Sequence, residues 1–146
     1  MESSSRVFAD SNFFIALFNS SDSLYTKAVS AAQILDGQAT TLVISNFIFL
    51  EVTTVLSQKR GKKVALAAGN YLLSEPRIQV LHVDEHRQLR AWNMFQRVPA
   101  KNTSFVDCSN IVLMQDEGIG TLLTFDQIDA KILQKFYRFR IFKTSS

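Results

Sequence analysis

Short runs of apolar, β-branched and aromatic residues alternate along the chain with longer stretches in which apolar residues recur at helical spacing. The short runs predict strands at 6–9, 41–45, 78–83 and 121–125, with a weaker one at 139–142. The longer stretches predict helices at 12–18, 23–35, 46–58, 62–74, 84–97, 104–116 and 127–136. Strands of low internal polarity that alternate with helices are typical of a parallel sheet covered on both faces. We therefore expect an α/β fold, a three-layer α/β/α sandwich with a central, mostly parallel sheet of about five short strands.

Length and composition favour one compact domain. The chain has 146 residues, of which 47% are hydrophobic and 20% charged, so it is long enough to bury one substantial core. No Gly-, Ser- or Pro-rich stretch divides the sequence, and no repeat is visible. We expect a single domain over 1–146, with its core at about 6–142.

Charge and cysteine content narrow the class of protein. The net charge of +3 is compatible with an anionic partner but does not require one. The single cysteine, Cys108, excludes an internal disulfide and a thiolate zinc site, and it indicates a small buried side chain in a reducing compartment. MESSSR lacks the features of a signal peptide, and the apolar stretch 41–56 is too short and too interrupted to cross a bilayer. These features predict a cytoplasmic protein with no membrane partner.

Two aspartates follow predicted strands directly. Asp10 comes after 6–9 and Asp126 after 121–125, and the carboxyl ends of parallel strands meet at one edge of a sheet. Each also precedes a helical pattern, so an ordinary helix N-cap explains either residue alone. Ser104 and Asp107 form an S-x-x-D pattern, which is typical of a capping box. If Asp10, Asp126 and the Ser104–Asp107 pair serve only as helix caps, none of them needs to belong to a catalytic or metal-binding site.

Glu51 is not explained by capping, because it lies in the middle of the helical stretch FIFLEVTTVL. Phe47 and Val55 stand four residues to either side, so the three share an apolar face that we expect to point into the protein. A buried carboxylate is costly without a partner, and an arginine or a hydrogen-bond network remains an alternative to a metal ion. Asp107 repeats the pattern, with Ile111 and Met114 on its stripe.

A shared cation accounts for four converging acids. Two like charges 4 Å apart repel by about 4 kcal/mol at an effective dielectric of 20, so a positive group should lie among them. Oxygen-only ligands favour Mg²⁺ or Mn²⁺. Zinc is disfavoured because His82 and His86 span a predicted strand-to-helix junction, where both are expected to be ordinary surface or core residues.

Four short motifs in a fixed order resemble the PIN domain family, and within it the single-domain VapC-type ribonuclease toxins. They are ADSNFFIALF with Asp10, SNFIFLE with Ser45 and Glu51, SFVDCSNIVLMQDEG with Asp107, and LLTFD with Thr124 and Asp126. The resemblance covers nearly all of 6–142. The chain departs from the family pattern at Ile128, where members often have an acid and where Asp129 is the nearest one. Cys108 stands where alanine is common.

The resemblance implies a Mg²⁺- or Mn²⁺-dependent endoribonuclease that leaves 5′-phosphate and 3′-hydroxyl ends, the toxin of a type II toxin–antitoxin pair. It implies that Asp10 and Asp107 bind the metal, that Glu51 and Asp126 bind it directly or through water, and that Asn12, Ser45 and Thr124 orient these ligands. The implied partners are RNA, a small antitoxin protein and a second copy of the chain.

RNA would need basic residues around an acidic pocket. The candidates occur in QKRGKK and QKFYRFR, where aromatic residues could stack on unpaired bases: Arg60, Lys62, Lys63, Lys135, Arg138 and Arg140. Each is equally explained as a solvated charge. The alternative function is a catalytically inactive PIN-like scaffold that binds RNA or protein. A phosphoacceptor receiver domain is less favoured, because receivers pair two adjacent acids after the first strand and this chain offers only Asp10 there.

Overall fold

The computed structural model describes residues 5–144, which fold into five strands and seven helices. The elements in chain order are β1 (Arg6–Ala9), α1 (Ser11–Leu17), α2 (Tyr25–Gly37), β2 (Thr41–Ser45), α3 (Asn46–Arg60), α4 (Lys62–Ser74), β3 (Ile78–Leu81), α5 (Glu85–Arg97), α6 (Phe105–Glu117), β4 (Thr121–Leu123), α7 (Gln127–Leu133) and β5 (Arg140–Ile141). Every element predicted from the sequence is present, so the alternation of strands and helices is confirmed.

The sheet has the order β3-β2-β1-β4-β5, and every pair of neighbouring strands is parallel. Parallel connections are right-handed, which places α1–α4 on one face of the sheet and α5–α7 on the other. The prediction of an α/β/α sandwich is therefore confirmed, and the mostly parallel sheet is parallel throughout. Within residues 5–144 no helix has both the length and the apolar content that crossing a membrane requires.

Several element ends differ from the prediction. The helix predicted at 23–35 begins at Tyr25 without a side-chain cap, because Asp22 instead accepts a hydrogen bond from the Leu24 amide at 2.8 Å. The strand predicted at 78–83 ends at Leu81, because the Val83 amide donates to the Asn46 side chain at 2.7 Å rather than to a neighbouring strand. The last helix ends at Leu133 rather than at 136.

The core lies on both faces of the three central strands. Phe8 on β1, Ile44 on β2 and Leu123 on β4 are fully buried between the helical layers. Cys108 is also fully buried, as predicted, and burial raises the pKa of its thiol to about 11, with the charge of Asp107 adding to the effect. This thiol is a packing group and not a nucleophile.

The strand order creates a switch point beside β1. From β1 the chain runs to β2 and β3 on one side and later returns to place β4 on the other. The Asp10 amide continues this pairing by donating to the Leu123 carbonyl at 2.9 Å. Ligand sites of open α/β sheets form beyond the carboxyl ends of the strands at such a point. The fold thus brings the residues after β1 and after β4 side by side.

Candidate metal-binding and catalytic site

Asp10 lies at the centre of the carboxyl edge and is only 7% exposed. It caps α1 by accepting from the Ser11 amide at 2.8 Å, so the predicted capping role is real. The pKa of Asp10 is raised to about 6, mainly by burial and in smaller part by the nearby charge of Glu51, while hydrogen bonds from Ser11, Thr124 and Asn110 lower it. A carboxylate that serves only as a cap would be stabilised by its donors, whereas this one is held at a net cost.

Thr124 connects the two strand ends through its hydroxyl group. The hydroxyl donates to Asp10 Oδ2 at 3.1 Å and accepts from Asn12 Nδ2 at 3.0 Å and from the Asp126 amide at 3.1 Å. Asn12 in turn accepts from the Phe125 amide at 3.1 Å. One donor and two acceptors are the full capacity of a hydroxyl, so Thr124 fixes the backbone of 124–126 against Asp10.

Asp107 enters the site from the first turn of α6. Its carboxylate accepts from the Ser104 amide at 3.0 Å while Ser104 Oγ accepts from the Asp107 amide at 3.0 Å, which is the predicted capping box. Burial raises the pKa of Asp107 to about 7, and the charge of Asp10 adds to the shift. The carboxylates of Asp10 and Asp107 therefore lie close enough to repel each other.

Glu51 is half-buried, so the prediction that its helix face points into the protein is wrong in detail. The buried stripe of α3 is Ile48, Val52 and Leu56, and Glu51 lies at its margin with Phe47 and Val55. The Glu51 carboxylate instead accepts a short hydrogen bond from the Ser11 hydroxyl. Ser11 follows Asp10 directly, so this bond brings Glu51 to the same cluster.

Asp126 and Asp129 form the outer wall of the site. Asp126 caps α7 and accepts from the Asp129 amide at 3.5 Å. Partial burial raises the pKa of Asp126, and a side-chain hydrogen bond with Asp129 adds to the shift. Asp129 itself is buried, and its carboxylate accepts from Thr103 Oγ1 at 3.0 Å. Ile128, at the family's usual acidic position, is 78% exposed, so the helix turns Asp129 inward in its place.

A small cleft of about 10 Å³ lies between these elements. Asp10, Asp107, Asp126 and Asp129 line it together with Thr124, Asn110 and three apolar side chains. Within residues 5–144 none of these four acids, nor Glu51, forms an ion pair with a lysine or arginine. In the same range, no three Asp, Glu, His or Cys side chains are already arranged to hold an ion.

The remaining predicted residues take different places. Ser45 is fully buried and caps α3 by accepting from the Ile48 amide at 3.0 Å, which is a structural role for its hydroxyl. His82 and His86 are exposed, as ordinary surface residues are. Asn110 and Thr103 belong to no motif and were not predicted from the sequence, and the role of Asp129 was left open. A helical projection from Asp107 would have found Asn110, which follows three residues later on the same face.

The predicted RNA-binding residues are exposed, and none of them lines the cleft. Arg60 ends α3, and nine residues of helix separate it from Glu51 by roughly 14 Å. Lys62 and Lys63 begin α4. Arg140 pairs with Thr121, the first residue of β4, at the edge of the sheet opposite the acids. A nearer cation is Lys27, whose ammonium lies 5.4 Å from the centre of the Phe125 ring.

Comparison with known proteins gives the site a family context. A curated relative, the 23S rRNA-specific endonuclease VapC20 of Mycobacterium tuberculosis, is 28% identical over 120 residues, which cover 82% of this chain and 88% of the relative. The crystal structure of M. tuberculosis VapC20, described as a sarcin-ricin loop cleaving toxin, matches with a TM-score of 0.75 at 27% identity and covers 86% of this chain and 93% of that chain.

Two further solved structures share the fold. A toxin–antitoxin complex from Klebsiella pneumoniae matches with a TM-score of 0.63 at 15% identity, covering 96% of this chain and 98% of that one. FitAcB from Neisseria gonorrhoeae matches with a TM-score of 0.66 at 12% identity, covering 94% and 97%. The family model of the PIN domain matches residues 7–132, from β1 to the end of α7. This protein belongs to the PIN domain family.

Proposed function

We propose that the protein is a metal-dependent endoribonuclease of the VapC type, which cleaves RNA phosphodiester bonds as the toxin of a type II toxin–antitoxin pair. The observation that carries the proposal is the convergence of Asp10, which is buried, and Asp107, which is partly buried, in one cleft where neither is paired with a basic side chain, so that the pKa of each carboxyl is raised. Uncompensated charge of this kind is a cost in the metal-free protein, and it is the arrangement that a divalent cation would relieve.

The donor set fits Mg²⁺ or Mn²⁺. Every polar group that lines the cleft offers oxygen, and the residues include carboxylates, a hydroxyl and an amide. Asp107 and Glu51 now hold hydrogen bonds to Ser104 and Ser11, and each carboxylate keeps a second oxygen that could turn towards an ion. We assign Asp10 and Asp107 to direct binding of the metal and Glu51 and Asp126 to binding directly or through water. A bound divalent ion would lower the pKa of a water molecule and neutralise charge on the phosphate.

The side chains around the acids give the site its geometry. Thr124 and Asn12 hold the 124–126 backbone to Asp10, so the two strand ends keep a fixed spacing. Ser11 ties Glu51 to the start of α1. Asp129 adds a further charge at the outer wall. These contacts support a fixed arrangement of the acids, in which a bound metal ion could hold a phosphodiester at the mouth of the cleft for in-line hydrolysis.

We propose structured RNA as the substrate, with ribosomal RNA as the class to test first because the M. tuberculosis relative is named for 23S rRNA. Lys27 beside Phe125 is the basic residue best placed to contact a phosphate near the acids, and the ring could stack on a base. More distant parts of a long RNA would contact the other basic residues: Arg60, Lys62, Lys63, Lys135, Arg138 and Arg140.

Exposed apolar side chains support the proposed protein partners, an antitoxin and a second copy of the chain. A groove of about 600 Å³ runs between α3 and α4, flanked by Leu66 and Leu73, which are 55% and 68% exposed. Leu50 on α3 and Trp92 on α5 are also exposed, at 64% and 48%. Exposed apolar groups of this size are typical of protein interfaces. Light scattering of the purified chain, alone and with the product of a neighbouring reading frame, would measure both associations.

The decisive experiment incubates the purified protein with a ribosomal hairpin RNA and an unrelated hairpin, with Mn²⁺ or with a chelator. We expect cleavage only with the metal, and fragments with 5′-phosphate and 3′-hydroxyl ends. Asp107→Asn should abolish cleavage. The matched control is Asp116→Asn, which changes an acid of the same helix that is ion-paired with Arg87 and Arg90 on the surface.

Equal cleavage by the wild-type protein and Asp107→Asn would contradict the proposal, because it would locate the activity elsewhere. The alternative function, an inactive scaffold that binds RNA or protein, predicts no cleavage under any condition. It also predicts no Mn²⁺ binding beyond that of Asp107→Asn by calorimetry. The two measurements together separate an enzyme from a scaffold.

A further inference from the structure

Asn110 is a buried residue of the cleft to which neither the family motifs nor the mechanism above gives a role. It is 2% exposed and lies on α6, three residues after Asp107, so both side chains extend from the same face of the helix. It lines the cleft together with Asp10 and Asp107.

The orientation of its amide group follows from its contact with Asp10. Asn110 Nδ2 donates to Asp10 Oδ1 at 3.3 Å. A carboxylate can only accept, so the nitrogen must face Asp10, and the amide oxygen must point away from it. Turning the amide over would place two oxygens against each other. The Asp10 contact therefore fixes where the Asn110 oxygen points.

That oxygen lacks a hydrogen-bond partner. Within residues 5–144, Asn110 Oδ1 is the sole buried side-chain oxygen or nitrogen in this condition. Leaving a buried polar atom unpaired costs free energy, and nearly all such atoms in native proteins have a partner. An unpaired acceptor in an acidic cleft is the complement of a donor that arrives with a cation, and water bound to a metal ion is such a donor.

We propose that Asn110 is a positioning residue of the metal site, which holds Asp10 through its amide nitrogen and accepts, through its amide oxygen, a hydrogen bond from a water molecule bound to a divalent ion. The inference rests on the metal-dependent function proposed above and adds to it a residue outside the four acids. The oxygen orients that water, while Asp10 binds the ion. An outer partner of this kind commonly changes metal affinity by about 10- to 100-fold.

The competing explanation is that Asn110 only packs α6 against β1. The two explanations make opposite predictions for Asn110→Leu, which keeps the number and branching of the side-chain heavy atoms but removes both polar atoms. A packing role predicts a lower melting temperature of the metal-free protein and an unchanged response to Mn²⁺. A positioning role predicts a metal-free protein that is no less stable than the control, with a weakened response to Mn²⁺.

The experiment measures Mn²⁺ affinity by calorimetry and the Mn²⁺-induced rise in melting temperature for the wild type, Asn110→Leu and Asn110→Ala. The matched control is Ser109→Ala, which changes an equally buried polar residue of the same helix whose hydroxyl donates to the Val106 carbonyl at 2.7 Å. We expect both Asn110 variants to bind Mn²⁺ at least about tenfold more weakly. Ser109→Ala should bind Mn²⁺ as the wild type does.

Wild-type affinity for Mn²⁺ in the Asn110 variants would overturn the inference while leaving the proposed function intact. A wild-type protein that binds no Mn²⁺ would instead overturn the proposed function, and this inference with it. Should Asn110→Ala fail to fold, Asn110→Leu carries the test alone, because it leaves no cavity. Weak Mn²⁺ binding in a stable Asn110→Leu protein is the result that supports the proposal.

Discussion

Replacing Thr124 by valine should destabilise the metal-free protein far more than the loss of one hydroxyl usually does. Valine has nearly the same shape, so the change removes hydrogen bonds without opening a cavity. The Thr124 hydroxyl makes three of them, one to the Asp10 carboxylate and two from the Asn12 side chain and the Asp126 amide. A bond to a charged group contributes about 2 kcal/mol and a neutral one about 1 kcal/mol, and not all of this is lost if water reaches the exposed Asp126. We expect a net loss of about 3 kcal/mol.

The assay is thermal unfolding at pH 7.5 in the presence of a chelator. For a chain of this length the entropy of unfolding is about 0.3 kcal/mol per kelvin, so a loss of about 3 kcal/mol lowers the melting temperature by about 10 °C. The control is Thr40→Val. Thr40 is as buried as Thr124, but among residues 5–144 its hydroxyl has one long side-chain contact, 3.4 Å to the Ser5 hydroxyl. That variant should lose no more than about 3 °C.

Two results would refute this reasoning. Equal losses for Thr124→Val and Thr40→Val would show that the three bonds add nothing beyond ordinary burial of a hydroxyl. A large loss in Thr124→Ser, which keeps the hydroxyl, would show that the methyl group and not the hydrogen bonds is responsible. Thr124→Val should also raise the pKa of Asp10 further, since it removes a hydrogen-bond donor to the ionised carboxylate.

Three further predictions concern charge and backbone. The pKa of Asp10 is about 6 in the folded protein, above its usual 3.8, so the folded protein binds this proton more tightly than the unfolded chain does. The free energy of unfolding of the metal-free protein should therefore fall by on the order of 3 kcal/mol as the pH rises from 4 to 7, which denaturant titrations at several pH values would measure. Asp107, with a pKa of about 7, must lose its proton to bind a cation, so calorimetry should show Mn²⁺ affinity rising between pH 6 and 8, and a flat profile would contradict the assignment. Gly118→Ala should lower the free energy of unfolding in urea by about 1 kcal/mol, because Gly118 has a φ of 65°, which alanine adopts at a cost. An added methyl group meets nothing within 4 Å at either Gly118 or Gly120, so Gly120→Ala, where φ is not positive, should cost less.

The hydrophobic pattern was sufficient to predict the fold because each element carries its own period. The strands are short apolar runs and the helices have recurring apolar faces, so each element can be recognised from its own segment of the sequence. The ends of elements were harder to predict, since they depend on tertiary contacts. The bond from the Val83 amide to Asn46, which ends β3 early, joins residues 37 positions apart and leaves no local signal.

The acids could be proposed from the sequence because Asp10 and Asp126 follow strands, Asp107 lies in the first turn of a helix, and Glu51 lies on an apolar helix where no cap explains it. Their surroundings could not. The helical spacing of apolar residues around Glu51 predicts that it faces inward, yet its contact with Ser11 holds it at the margin of the core. Asn110 carries no motif, and only the distance from its amide to Asp10 reveals its place. Sequence spacing indicates which residues share a helix face, but it does not indicate which of their polar atoms lack a hydrogen-bond partner.

The position of β4 beside β1 also affects the order in which parts of the fold can form during synthesis. Thr124 and Asp10 are 114 residues apart, and closing a loop of this length costs on the order of 4 kcal/mol of chain entropy. The acidic cleft therefore does not exist in any partial chain that lacks β4, even one that has already formed β1, β2 and β3. During synthesis the cluster of charges is assembled among the last features of the fold. A chain cut short before residue 121 would contain the residues of α1–α6 but could not form the site, because Thr124, Asp126 and Asp129 would be missing.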